Sequence, residues 1–176
     1  MNRLSLFTLA ACMAASFISC VPVVFENPVP SGSRVMEQFP NELQGLYFNY
    51  KNEDTLTISA DSYVNMEDAC FLGEDCELRI YRDFWVLNQR SKIENQPGYL
   101  AILGKLEKPG RTLEVFVFDG AAEKLPLFKE LLEVKEFYNE DSTLNRIVIN
   151  PTNEQFMQLI DREAFVLYGT YERIKP

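Results

Sequence analysis

The feature that most restricts this chain is a succession of short runs, from Phe39 to the carboxyl end, in which apolar and polar residues alternate between turn-forming segments. Alternation at a period of two puts one set of side chains on each face, the pattern of a half-buried β-strand. In Asp54-Thr55-Leu56-Thr57-Ile58-Ser59, Leu56 and Ile58 alternate with Thr55, Thr57 and Ser59. The polar turn Lys51-Asn52-Glu53-Asp54 joins that strand to Gly45-Leu46-Tyr47-Phe48-Asn49-Tyr50 as a hairpin. The same reasoning predicts strands over Tyr63 to Met66, Glu77 to Ile80, Phe84 to Asn88, Tyr99 to Leu106 and Arg111 to Phe118. Between the last two, Lys108-Pro109-Gly110-Arg111 reads as a tight turn, because proline presets one torsion and glycine supplies the positive one. Val134 to Tyr138, Leu144 to Asn150 and Ala164 to Ile174 complete the set.

Two short helices interrupt the later strands. After Asn150-Pro151, Thr152 can cap and Gln155 can reach back to it, which places Phe156, Leu159 and Ile160 on one face. The other helix runs from about Ala121 to Leu132, with Leu127, Phe128, Leu131 and Leu132 as its stripe and Pro126 near its start. A meander of this length must close or be covered, since open edges recruit other chains. The expected fold is therefore mainly β, an antiparallel meander with two short helices that closes into a small barrel, as a single domain over 38–176.

In Phe39-Pro40, Leu43 and Gly45-Leu46-Tyr47 the domain resembles the lipocalin-like lipoproteins of Bacteroidota. Lipocalins place Gly-x-Trp at the opening of the first strand, with an arginine of the last strand packed over the tryptophan. Here Tyr47 stands in the tryptophan position and Arg173 is the candidate arginine. The resemblance implies a cavity for a small apolar or amphipathic ligand. Tyr47, Tyr63, Trp85, Phe116 and Phe118 are the candidates for lining it. An aromatic residue on a strand is more often ordinary core. Phe116 and Phe118 are included because both faces of Leu113 to Phe118 are apolar, so the strand is buried on both sides or borders a pocket.

The amino terminus carries a different signal. Arg3 precedes an apolar run from Leu4 to Ile18 that ends in Ser19 and Cys20, the layout of a secretory leader over 1–19. Phe17-Ile18-Ser19-Cys20 resembles the lipobox of bacterial lipoproteins, which implies cleavage before Cys20 and lipid on its thiol. Stable attachment then follows from multiple acyl chains, since one alone holds only marginally. An uncleaved anchor over Leu4 to Phe25 and ordinary cleavage near Ala14-Ala15 are the competing readings. Pro22 opposes the first, and the second leaves Cys20 without a role.

Behind Cys20, residues 20–37 contain Pro22, Pro28, Pro30 and Ser31-Gly32-Ser33, a composition that predicts an extended, flexible tether. The acidic cluster that marks surface export in Bacteroidota lipoproteins is missing there, Glu26 being the nearest acid, so the resemblance implies a domain facing the periplasm. Val21, by analogy with the position that retains proteobacterial lipoproteins, implies the outer membrane.

Charge and residue types narrow the partners. Without Arg3, 16 basic against 26 acidic residues leave a net charge of −10, which disfavours nucleic acid and anionic lipid surfaces. The membrane contact is then the lipid on Cys20. The chain has no histidine, which removes Ser-His-Asp and Cys-His nucleophile pairs and most zinc sites, and no catalytic motif or cofactor-binding loop is recognisable. Enzymatic activity is therefore not expected. Cys70 and Cys76, placed by export outside the cytosol, are expected to pair across Phe71-Leu72-Gly73-Glu74-Asp75, with Gly73 allowing the return. Asp61, Glu67, Asp68, Glu74 and Asp75 crowd the same region and read as a solvated acidic loop rather than a calcium site. Three functions of different class remain: a lipid-anchored module that binds a small ligand, an accessory or scaffolding lipoprotein of the envelope that contacts another protein, and, least favoured, an enzyme such as a carboxylate-based hydrolase with its acids clustered in a cleft.

Overall fold

A computed structural model describes residues 21–66, 68–91, 97–107, 111–120 and 122–175. The leader, Cys20, Glu67, Ala121 and the turn residues Lys108, Pro109 and Gly110 lie outside the described residues. In chain order the elements are β1 (Val23–Phe25), β2 (Val35–Met36), β3 (Gly45–Asn49), β4 (Asp54–Ile58), β5 (Ser62–Asn65), β6 (Ala69–Phe71), β7 (Cys76–Tyr81), β8 (Phe84–Arg90), β9 (Tyr99–Glu107) and β10 (Thr112–Phe118). They continue with α1 (Leu125–Leu131), β11 (Val134–Tyr138), β12 (Leu144–Ile149), α2 (Asn153–Asp161) and β13 (Phe165–Lys175). All but β1, β2 and β6 correspond to predicted runs.

Strands β7 to β10 form an antiparallel meander, β10 pairs with β13, and β13 pairs with β3, from which β4, β5 and β6 follow in order. The sheet curls into a half-barrel, in keeping with the lipocalin-like barrel expected. Its ends meet where Cys70 of β6 and Cys76 of β7 stand at disulfide distance, with Cα atoms 6.1 Å apart. Gly73 between them adopts φ +83°, a left-handed conformation that glycine accepts without steric cost, and its amide donates to the Cys76 carbonyl at 2.9 Å. The hairpin between β3 and β4 is built by Asn49, whose side-chain oxygen accepts from the amides of Lys51 and Asn52.

The wall formed by β8, β9, β10 and β13 is covered on both faces. On the concave face, Leu87, Leu113 and Tyr171 join Phe39, Leu56 and Leu78 in one core. On the convex face, Val86, Leu103 and Phe165 pack against β1, β12 and the two helices in a second core centred on Phe25, Phe128, Ile147 and Phe156. Helix α2 starts as the sequence predicts: the Thr152 hydroxyl accepts from the Gln155 amide while Gln155 accepts from the Thr152 amide. Pro126 sits in the first turn of α1, where a missing amide proton costs nothing.

The expected flexible tether is not what the described part of that segment forms. Val21, Val23, Val24, Phe25 and Val29 are buried, and β1 lies parallel to β12, with Val23 opposite Ile147 and Phe25 opposite Ile149. Beyond β1, Asn88 clasps Val29 from both sides, accepting from its amide and donating to its carbonyl, each at 2.7 Å. Arg79 then donates to the Pro30 carbonyl at 2.7 Å, and β2 pairs with β7. The proline and Ser-Gly-Ser composition suggested a linker, but the β-branched run Val21-Pro22-Val23-Val24-Phe25 is apolar enough to cover the edge of β12. The domain therefore starts at or before residue 21.

Candidate functional site

Within the half-barrel lies an apolar cavity of about 180 Å³. Its clearest structural cause is Gly104. Trp85 of β8 and Val115 of β10 are both cross-strand partners of Gly104, which therefore lies between them on one face of the wall. With no side chain at that position, the space between Trp85 and Val115 stays open. A Cβ at Gly104 would meet Leu113 Cδ1 at 3.5 Å, an ordinary contact, so the glycine leaves room there rather than relieving a clash. Leu56 and Ile58 of β4, Leu78 of β7 and Ile102 of β9 add aliphatic wall, as do Phe39 and Leu43 ahead of β3.

Polar groups gather at particular points of this wall. The Tyr63 hydroxyl donates to Gln89 Oε1 at 3.1 Å, and Gln89 Nε2 donates in turn to the Asp68 carboxylate. Burial, together with the nearby Asp68 charge, pushes the Tyr63 pKa up to about 12. Tyr171 donates to Asp54 Oδ2 at 2.9 Å, and its pKa is raised by burial and by that acceptor. Tyr168 stands at the rim, 49% exposed. It is the additional residue of a β-bulge: Val115 pairs with Gly169 and Phe116 with Leu167, leaving Tyr168 unpaired between them. Bulges redirect side chains, and this one brings Tyr168 onto the cavity wall.

Of the predicted lining residues, Tyr63 and Trp85 face the cavity. Tyr47 does not. It is fully buried, donates to the Leu43 carbonyl at 2.9 Å, and receives Arg173 Nη2 at 2.6 Å. It ties Leu43, ahead of β3, to Arg173 of β13. Phe116 and Phe118 also lie elsewhere, on the convex face. Phe118 packs on Phe25, Phe128 and Phe165 at ring separations of 5.2, 5.0 and 5.0 Å, and Phe116 packs on Phe84 at 6.1 Å. The opposite face of the same strand, Leu113, Val115 and Val117, lines the cavity instead. Gly104 was the sequence signal for it, since a glycine within a strand often marks a place of unusual spacing.

The walls offer dispersion contacts and exclusion of water, with hydrogen bonding at Asn65 and the tyrosines. An engineered apolar cavity of about 150 Å³ holds benzene, whereas drug-sized ligands need roughly 300–1,000 Å³. The enclosed space therefore suits one small apolar group. The acidic residues of the 61–75 region do other work where they are described: Asp68 accepts from the Ala69 amide as well as from Gln89, and no three metal-ligating side chains converge among the described residues. Compared with known proteins, the chain matches no family model, no curated protein and no solved structure.

Proposed function

We propose that this chain is an exported lipoprotein, held in the cell envelope by lipid on Cys20, whose half-barrel binds the apolar part of a small amphipathic ligand. The leader pattern supports the anchoring, and by the export analogies the domain faces the periplasm from the outer membrane. The observation that carries the binding reading is the open space at Gly104 between Trp85 and Val115. A ring-sized group burying about 150 Å² there gains roughly 4 kcal/mol, which alone corresponds to a millimolar dissociation constant. Tighter binding needs contacts beyond the mouth, where Tyr168 and Val166 are exposed. The ligand is therefore an apolar tip with a larger, more polar remainder.

Trp85 is the single tryptophan of the chain, which makes its fluorescence a direct reporter of the cavity. Titration of the purified lipoprotein with 1-hexanol should shift Trp85 emission saturably, and Val115→Phe should abolish the shift while keeping the fold. A linear, non-saturating response would end the binding reading. A second reading has its own support: Val166 and Tyr168 are exposed apolar residues of β13 on the cavity side, where another envelope protein could contact them. Native mass spectrometry of protein extracted from its own membranes separates the two. A released small molecule favours the ligand module and a stoichiometric protein partner favours the scaffold. A mass that retains residues 1–19 without acyl chains would overturn the anchoring.

A further inference from the structure

A second cavity lies outside the half-barrel, where β11, β12 and β1 meet the start of β9, and its volume is about 670 Å³. Arg146 of β12 borders it and is only 4% exposed. Its guanidinium carbon stands 4.4 Å from the ring centroid of Phe137, the residue paired with it on β11. Its Nε and Nη1 have no hydrogen-bond partner. The ring offers cation–π contact but no acceptor, and a buried guanidinium with donors unmet is costly to hold. The same cavity is bordered by Arg90, which is exposed, and by Lys135, which is paired with Glu26 at 3.1 Å.

Among the described residues that border it, three cations stand against one carboxylate, an excess of two positive charges in a chain whose net charge is −9. We infer that it is a phosphate-binding site, with Arg146 as the buried anchor and Arg90 and Lys135 as the outer cations. A phosphate carries about −1.5 to −2 charges at neutral pH and offers three acceptor oxygens, which matches both the charge and the unmet donors. Phe137 and Tyr99 provide apolar walls for whatever bears the phosphate, and the volume falls in the range of small-molecule sites. That phosphate can belong to a soluble phosphate ester or to a phospholipid headgroup.

The test is thermal unfolding of the intact lipoprotein in neutral detergent, titrated with inorganic phosphate at constant ionic strength. At a hundredfold excess over the dissociation constant, the midpoint should rise by about 5–10 °C. Arg146→Leu should remove that rise while leaving the midpoint without phosphate unchanged or higher, because an unpaired buried charge has gone. Glu26→Gln, which releases Lys135, should tighten binding severalfold. Absence of a phosphate-dependent shift in the unaltered protein, or an equal shift in Arg146→Leu, overturns the site. Should Arg146→Leu not fold, the exposed Arg90→Gln decides: unchanged phosphate affinity in that variant also overturns it. Comparing hexyl phosphate with dihexanoyl phosphatidylglycerol assigns the source, since stronger stabilisation by the first marks a soluble ester and by the second a lipid headgroup.

Discussion

Arg173 donates to the Tyr47 hydroxyl from both Nη2, at 2.6 Å, and Nε, at 3.1 Å, while its guanidinium carbon lies 5.2 Å from the centre of the Tyr47 ring. The candidate arginine of the last strand thus meets both the hydroxyl and the ring of Tyr47. Arg173 also donates to the Glu42 carbonyl, so the last strand holds the segment that leads into the first strand of the half-barrel. Gly45 belongs to the same unit, because a Cβ there would stand 2.6 Å from the Lys175 carbonyl oxygen.

Tyr47→Phe removes a buried hydroxyl that serves both the Leu43 carbonyl and Arg173. The expected loss is about 1–3 kcal/mol, read from urea unfolding, with Trp85 emission little changed because Tyr47 does not border the cavity. A large emission change in the folded variant would place Tyr47 nearer the cavity than described.

Asn88→Ala tests whether the amino-terminal segment is part of the domain. Two buried hydrogen bonds to Val29 are lost, leaving its amide and carbonyl without those partners. A destabilisation of about 2–4 kcal/mol is expected in urea unfolding. Unchanged stability would mean that the segment stands free in solution.

Replacing Cys70 and Cys76 together by serine should lower stability by about 2 kcal/mol, the chain-entropy value for so short a loop. The cost is modest because strands β5 and β6 remain paired from Ser62–Phe71 to Val64–Ala69. Calorimetry of the double variant checks it, and complete unfolding at room temperature would show that the bridge carries far more than a short loop's closure entropy.

Alkaline pH should destabilise the protein through its buried phenols. The Tyr63 pKa stands at about 12 against an ordinary value of 10.0, so the folded chain favours the neutral form. Stability is whole below pH 10 and falls as the pH rises toward 12, by on the order of 2–3 kcal/mol from this residue. Tyr171 is raised in the same direction, by burial and by its hydrogen bond to Asp54, and so acts in the same sense. Tyr63→Phe should flatten part of this loss, and absorbance titration of the phenolates alongside unfolding midpoints would show it. Equal alkaline sensitivity with and without Tyr63 would remove it as a cause.

Most strands were legible because alternation is local: Leu56 and Ile58 are buried and Thr57 between them is exposed, as their spacing requires. The helix cap at Thr152 was legible for the same reason, since its partner is three residues away. What local pattern does not specify is which of two apolar faces meets which core. On β10 both faces are apolar, and the larger aromatics Phe116 and Phe118 face the convex core while Val115 and Val117 border the cavity. Arg146 was missed for a related reason: in Leu144-Asn145-Arg146-Ile147 it reads as an exposed polar position, and only the neighbouring strands bury it.

The pairing of β1 with β12 also dictates the order in which this molecule can be completed. Asn27 and Asn150 are hydrogen-bonded neighbours separated by 123 residues, and Ile147 donates back to the Pro22 carbonyl. β1 has its partner β12 more than a hundred residues later, so the convex core cannot form until both are present. The hairpins within β3 to β6 and within β7 to β10 are local, whereas both the wall, which β13 joins to β3 and β10, and the outer layer, which β12 joins to β1, need strands from opposite ends of the described chain.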